Sequence, residues 1–215
     1  RDVERSRGLG DVYKRQRLVE LVAERKPTNI VDIATGTGDV AISMAKKIPT
    51  SQIVGIDLSE EMLKVAQQKI EHFSIKPNIR LLCEDAENLS LSSNTFDVVT
   101  ISFGIRNFEN IVKGLSECHR ILKEGGSLFI MEFSTPKHKV FNVLYRIYSK
   151  HILPLIGQVI SNDDKAYKYL PESIVEFNRE HEFTELLLNN GFDSCISISL
   201  SNGIAHIYIG VKSKM

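Results

Sequence analysis

The sequence predicts a single α/β domain built on a mostly parallel sheet that closes in an antiparallel hairpin. Three observations predict it. From Arg17 onward, short apolar runs alternate with amphipathic ones. The first apolar run ends in a cluster of small residues, "ATGTGD". The last two apolar runs, "FDSCISISL" and "GIAHIYIGVK", are joined only through "SNG". Alternation of this kind implies a parallel sheet with helices on both faces. Two strands joined by so few residues can pair only as an antiparallel hairpin.

The elements follow in order. "RLVELVAERK" sets Leu18, Leu21 and Val22 on one helical face. "NIVDIAT" is a strand, and "GDVAISMAKKI" is an amphipathic helix that ends before Pro49. "QIVGIDL" is the second strand, and Ser59 after it is an N-cap for the helix "EEMLKVAQQKIEHF". "NIRLLCED" is the third strand, "LSLSSNT" a turn-rich loop and "FDVVTISF" the fourth strand. "NIVKGLSECHRIL" is helical, "KEGG" is a turn, and "SLFIMEFS" is the fifth strand. The helix "SIVEFNREHEFTELLLNNG" precedes the hairpin. An insert over 135–171 is rich in aromatic and aliphatic residues: "VFNVLYRIYSKHILPLIGQVI".

The opening "RDVERSRGLGDVYKRQ" has little periodicity of either kind. Its Asp11–Gln16 hexapeptide resembles a translated transposon end of the sort used to build sequencing libraries. Residues 1–16 are therefore expected to lie outside the fold, as an unpacked terminus, with the domain spanning 17–215.

Composition narrows the function. Lys and Arg number 27, Asp and Glu 27, for a net charge of +0, so nothing favours nucleic acid. The three cysteines, Cys83, Cys118 and Cys195, are scattered and odd in number, which argues against a disulfide framework and for a reducing, cytoplasmic setting. The six histidines lack zinc-like spacing, so no metal site is expected. No apolar run reaches membrane-spanning length, and the first sixteen residues lack the apolar core of a secretory signal.

The loop "GTGDVA" fits the G-x-G-x-x-A fingerprint, and Asp57 closes the next strand about twenty residues on, where an acid can hold ribose hydroxyls. A nicotinamide dinucleotide and S-adenosylmethionine both suit these features. Charge separates them. Asp32 precedes the loop and Asp39 opens the following helix. Both would repel a pyrophosphate, whereas a sulfonium and an ammonium would be attracted. Gly36, Thr37 and Gly38 form the loop itself. Asp85 and Ala86 end the third strand on the edge where open α/β sheets bind ligands, so a carboxylate and a backbone N–H there suit an adenine. The terminal hairpin marks the class I S-adenosylmethionine-dependent methyltransferase sheet, a Rossmann-like relative of the dinucleotide fold.

"DIATGTGD", "GIDLSEEML", "ISFGIRNF", "ILKEGG", "EFSTP", "AYKYLPESI" and "GI" before the last strand occur in this order. Together they resemble the quinone-biosynthesis C-methyltransferases of the UbiE/MenG type, from about Leu18 onward. The resemblance implies C-methylation of a prenylated quinol, demethylmenaquinol ahead of the benzoquinol precursor of ubiquinone. It also implies S-adenosylmethionine as cofactor, contacted by Thr37, Asp57, Asp85, Ala86 and Ser102. Arg106 and Asn107 become the catalytic pair, the arginine stabilising a phenolate so that the ortho carbon can attack the methyl group. Family members also carry an N-terminal segment with a Tyr-Asp pair and an asparagine that folds over the cofactor. Here the only tyrosine upstream of Arg17 is Tyr13, followed by Lys14, which leaves a cofactor-binding fragment of weak activity as a rival reading.

The insert residues Phe141, Tyr145, Tyr148, Leu153 and Ile156 are candidates for a tail channel. Lys137, His138, Lys139, Arg146 and Lys150 along the same stretch would suit transient contact with anionic lipid at the inner face of the cytoplasmic membrane. A homo-oligomer is left open.

Overall fold

The inner strands read as near-continuous apolar runs because helices cover both faces of the sheet. The computed structural model describes residues 2–73, 78–134 and 183–213. Its strands are β1 (Asn29–Ile33), β2 (Gln52–Asp57), β3 (Ile79–Cys83), β4 (Phe96–Ser102), β5 (Leu122–Phe133), β6 (Phe192–Leu200) and β7 (Ala205–Lys212). They form a 7-stranded sheet in the order β3-β2-β1-β4-β5-β7-β6. Strands β1 to β5 pair in parallel. Strand β7 inserts antiparallel between β5 and β6, which confirms the expected hairpin. A 3-10 turn at Ser201–Gly203 joins the last two strands. Asn202 there takes φ 56°, a left-handed value that asparagine tolerates better than most residues.

The helices are α1 (Asp2–Glu24), α2 (Asp39–Lys47), α3 (Glu60–His72), α4 (Ile111–Ile121) and, within the described residues, α5 (Phe183–Asn189). Ser59 caps α3 as expected, its hydroxyl accepting from Met62 N at 3.3 Å. Asn110 does the same for α4, accepting from Lys113 N at 3.0 Å. The "KEGG" turn appears as an outward excursion within β5: Phe96 pairs with Leu122, and the next pair is Val98 with Ser127.

Two cores sandwich the sheet. On one face Leu18 and Val22 of α1 and Ala41 and Met44 of α2 pack with Ile30, Phe129 and Ile207. On the other, Leu115 and Ile121 of α4 and Leu187 of α5 pack with Val31, Ile101 and Ile130. Leu18 and Val22 are fully buried, and Leu18 truncated to alanine would cost about 2–5 kcal/mol.

Helix α1 runs without a break across residue 16, where the domain was expected to begin. Lys14 is buried, with its ammonium 5.2 Å from the Phe133 ring centre, and Arg15 pairs with Asp39 at 2.7 Å. These contacts hold the end of the segment against the sheet, in place of the unpacked terminus that its weak periodicity implies. The insert over 135–171, with its expected tail channel and lipid-facing cations, lies outside the described residues. Among the described residues, no helix is long and apolar enough to cross a membrane.

Candidate active site

Parallel register brings the predicted residues to one edge. Ile33, Ile56, Leu82, Ile101 and Ile130 stand level across the sheet, linked by successive pairings. Within one to three residues beyond that row, four chain segments leave the C-terminal edge together: the loop after β1, Asp57 of β2, Glu84–Asp85 after β3, and Ser102–Phe103 at the end of β4. Open α/β sheets bind their ligands at this edge. A cleft is lined there by Asp32, Gly36, Thr37, Ser102 and Phe103, together with Arg15 of α1.

The loop holds its shape by strained backbone and close packing. Ala34 and Phe103, the residues that directly follow β1 and β4, both take left-handed φ, 54° and 57°. Such residues cost on the order of 1–3 kcal/mol and cluster where function over-determines the backbone. Gly38 has φ 76° and lies so close to α3 that a Cβ would stand 3.0 Å from that of Ala66. Gly104 lies so close that a Cβ on it would overlap the Ala34 methyl.

Two acids organise the loop. Asp32 is buried, 1% exposed, and accepts from Thr35 Oγ1 and Thr100 Oγ1, each at 2.6 Å. Burial pushes its carboxyl up to about 6, against the lowering effect of the two hydroxyls. Asp57 accepts from Gly36 N at 2.7 Å through one oxygen and from Ser59 N at 3.0 Å through the other. It therefore ties the glycine loop to the second strand. Asp32 and Asp57 thus both meet the loop, Asp32 bracing it from below with its carboxylate enclosed.

The charge argument built on Asp39 needs correcting. Its carboxylate is paired with Lys69 at 2.8 Å and with Arg15 at 2.7 Å. Burial works to raise its carboxyl, but the two cations outweigh it and hold it below the ordinary carboxylate value. Lys69 also donates to Thr37 Oγ1 at 2.8 Å. Asp39 is thus already neutralised from α1 and α3, and its negative charge does little to attract an incoming cation. Lys69, thirty residues from its partner in sequence, carried no local signal of this role.

At the third strand, Asp85 is exposed, and its Oδ1 accepts from Glu87 N at 2.9 Å in a turn. Ala86 is buried, 9% exposed, in the core beneath. Both stand at the same edge as the cleft but outside its immediate lining.

Arg106 and Asn107 lie in a single 3-10 turn, Ile105–Asn107, directly after β4. Asn107 is exposed. Arg106 is not a surface arginine: its side chain is 11% exposed, and Nη1 donates to Glu132 Oε1 at 2.6 Å. Its guanidinium carbon lies 5.8 Å from the Phe133 ring centre, and Phe133 stacks on Phe103 at 4.3 Å. Glu132 is 1% exposed, and burial pushes its carboxyl above the ordinary value despite the nearby Arg106 charge. This acid sits inside the "EFSTP" motif, to which the resemblance attaches no catalytic residue. A signal was present: one carboxylate ending the otherwise apolar run "LFIMEF", in a strand covered on both faces.

A sheet of this order, with an antiparallel strand between β5 and the edge strand and a glycine loop after β1, defines a class I methyltransferase fold. Solved structures agree. A putative S-adenosyl-L-methionine-dependent methyltransferase from Methanococcus maripaludis superposes with a TM-score of 0.70 at 19% identity, over 99% of this chain and 90% of that one. A SAM-dependent methyltransferase from Aquifex aeolicus gives a TM-score of 0.63 at 17% identity, over 90% and 88%. The chain belongs to the ubiE/COQ5 methyltransferase family, whose sequence model matches residues 6–212. It is 38% identical to the demethylmenaquinone methyltransferase of Porphyromonas gingivalis, over 95% of this chain and 84% of that one. It is 42% identical to the ubiquinone/menaquinone biosynthesis C-methyltransferase UbiE of Geotalea uraniireducens, over 85% and 78%.

Proposed function

We propose that this methyltransferase uses S-adenosylmethionine to methylate a ring carbon of demethylmenaquinol. The observation that carries the reading is the placement of Arg106, a nearly buried cation held by Glu132 at the same sheet edge as the glycine loop. The loop itself favours S-adenosylmethionine over a dinucleotide. Gly36 N already donates to Asp57, so the first loop amide is turned away from any pyrophosphate. Asp57 and Asp85 offer carboxylates to ribose hydroxyls and to an adenine amino group.

S-adenosylmethionine, when bound, supplies an electrophilic methyl group. The protein's part is to make the ring carbon nucleophilic and to hold it close. A free aromatic hydroxyl ionises near pH 10, by analogy with tyrosine. Arg106 keeps its charge and favours the ionised form by placing a guanidinium at the oxygen. Asn107, on the next position of the same turn, can donate and accept and so orient that oxygen. The Phe103–Phe133 stack beside the pair offers an apolar wall to a flat ring. Contact with the membrane surface, where a prenylated quinol resides, is part of the same proposal.

The test is a radiolabelled methyl-transfer assay with short-chain demethylmenaquinol and with its benzoquinol counterpart, alongside calorimetric titration with S-adenosylmethionine and NADH. Methylation of the naphthoquinol and binding of S-adenosylmethionine alone are expected. Transfer only to the benzoquinol would assign the ubiquinone precursor instead. Binding of NADH without methyl transfer would end the proposal.

A further inference from the structure

We propose that Glu132 is the proton acceptor of this site, its carboxylate taking the hydroxyl proton of the aromatic substrate while Arg106 turns from the carboxylate to the oxyanion so formed. The inference rests on Arg106 being the oxyanion partner, as argued above. Its independent ground is the pattern of used and unused atoms. Glu132 Oε1 is occupied: it accepts from Arg106 Nη1 at 2.6 Å and from Phe133 N at 2.8 Å. Glu132 Oε2 is buried with no hydrogen-bond partner, and so is Arg106 Nε. A carboxylate oxygen and a guanidinium N–H left open in one buried pair form an acceptor beside a donor. That is the complement of an aromatic hydroxyl about to become an oxide.

Charge accounting favours the step. Before it, the site holds a guanidinium, a carboxylate and a neutral hydroxyl; after it, a guanidinium, a carboxylic acid and an aryl oxide. Net buried charge is unchanged, so the transfer need not bring a new net charge out of water. Burial already pushes the Glu132 carboxyl upward, towards the range of a base that can accept such a proton. The other titratable groups facing it are named by the sheet. His206 is its cross-strand partner on β7, and Tyr208 lies two residues on along the same strand. His206 pairs with Ser197 Oγ at 2.9 Å and stacks on Tyr208 at 5.7 Å. The Lys14 ammonium approaches from α1 over the Phe133 ring.

The bonds balance. The substrate O–H breaks as an O–H forms on Glu132. The electron pair left on oxygen moves into the ring, and the ortho carbon bonds the methyl group as the methyl–sulfur bond breaks. The ring carbon then loses its proton to water and the ring regains aromaticity as an oxide. Glu132 returns its proton to that oxygen, leaving one net proton released and the carboxylate restored.

A simple naphthol tests this without turnover, because its ionised form absorbs at longer wavelength. 1-Naphthol bound to the wild-type protein at pH 7 should be ionised at least tenfold more than in free solution. On the wild type the ionised fraction should be level with pH while Glu132 holds the proton; on Glu132→Gln, where the proton must go to water, it should climb with pH, and Glu132→Asp should keep part of the wild-type behaviour. In turnover with demethylmenaquinol, Glu132→Gln should lower kcat by about 10²–10⁴-fold, with S-adenosylmethionine affinity within twofold. Its residual rate should climb with pH as the substrate ionises unaided. Bound naphthol that is neutral on the wild type, or whose ionised fraction follows pH in the same way on wild type and Glu132→Gln, overturns the proposal. A wild type that does not bind naphthol at all overturns it as well. Should Glu132→Gln not fold, the wild-type and Glu132→Asp spectra still decide. A wild type that ionises naphthol but does not methylate demethylmenaquinol faults the substrate assignment and leaves Glu132 standing. Methylation with naphthol left neutral does the reverse.

Discussion

The glycine loop and the Arg106–Glu132 corner lie on one sheet edge, yet their polar atoms are arranged in opposite ways. Around the loop the fold satisfies itself. Asp32 is filled by two threonine hydroxyls, Asp57 by two backbone amides, and Asp39 by two cations. At the corner, two of the three buried side-chain atoms without a partner among the described residues belong to a single ion pair. A self-satisfied loop is rigid before anything binds and offers shape. An unsatisfied buried pair carries a standing cost, on the order of 1–3 kcal/mol for each open group, that a ligand can relieve. The difference supports the proposal that the first region binds and the second does the chemistry.

The largest expected effect breaks the corner. Arg106→Ala should lower kcat by about 10²–10³-fold, the cost of deleting a comparable oxyanion donor, with little change in cofactor affinity. Arg106→Lys should restore part of that, since a point charge replaces a planar fork. Steady-state kinetics beside calorimetric affinity reads both. Removing one partner of a buried pair usually destabilises strongly. Here Glu132 can take up a proton, its carboxyl being already raised by burial, so Arg106→Ala should still fold.

Next comes the brace beneath the loop. The Asp32 carboxyl is raised on folding from 3.8 to about 6, so its contribution to stability is fully present below about pH 4 and is lost as pH rises through 6. At 1.36 kcal/mol per decade, the loss is about 3 kcal/mol. Asp32→Asn does not titrate. Its stability relative to wild type should therefore improve by about that amount between pH 4 and pH 8, measured by urea unfolding at both. A difference independent of pH would mean that the buried carboxylate is as well accommodated as one in water.

The smallest effect sharpens the binding side. Asp57→Ala removes the acceptor for Gly36 N and Ser59 N and a candidate partner of the ribose. Charge-assisted hydrogen bonds of this kind contribute about 1.5–3 kcal/mol each, so S-adenosylmethionine should bind at least tenfold more weakly in a protein that still folds. Unchanged affinity would confine Asp57 to loop architecture.

The alternation of apolar and amphipathic runs, the Ser59 cap, the glycine loop and the terminal hairpin were all legible along the chain, because each depends on residues within a few positions of one another. Arg106 and Asn107 stand out only through the family resemblance of "FGIRNF". What could not be read locally was which charges meet. Asp39 reads locally as an open acid, but α1 and α3 deliver Arg15 and Lys69 to it across 24 and 30 residues. Arg106 reads equally well as a surface residue. Only the parallel pairing of β4 with β5, which sets Ser102 beside Met131, places it against Glu132 and out of water.

Sequence alone determined the order of elements, the class of sheet and the edge on which a site would form, since periodicity, caps and turns act through neighbours. The tertiary structure decided the electrostatics of that edge: which acids are neutralised, which is raised by burial, and which pair is left open. Those are properties of distance and dielectric between residues far apart in the chain, and they come into being only when the sheet closes.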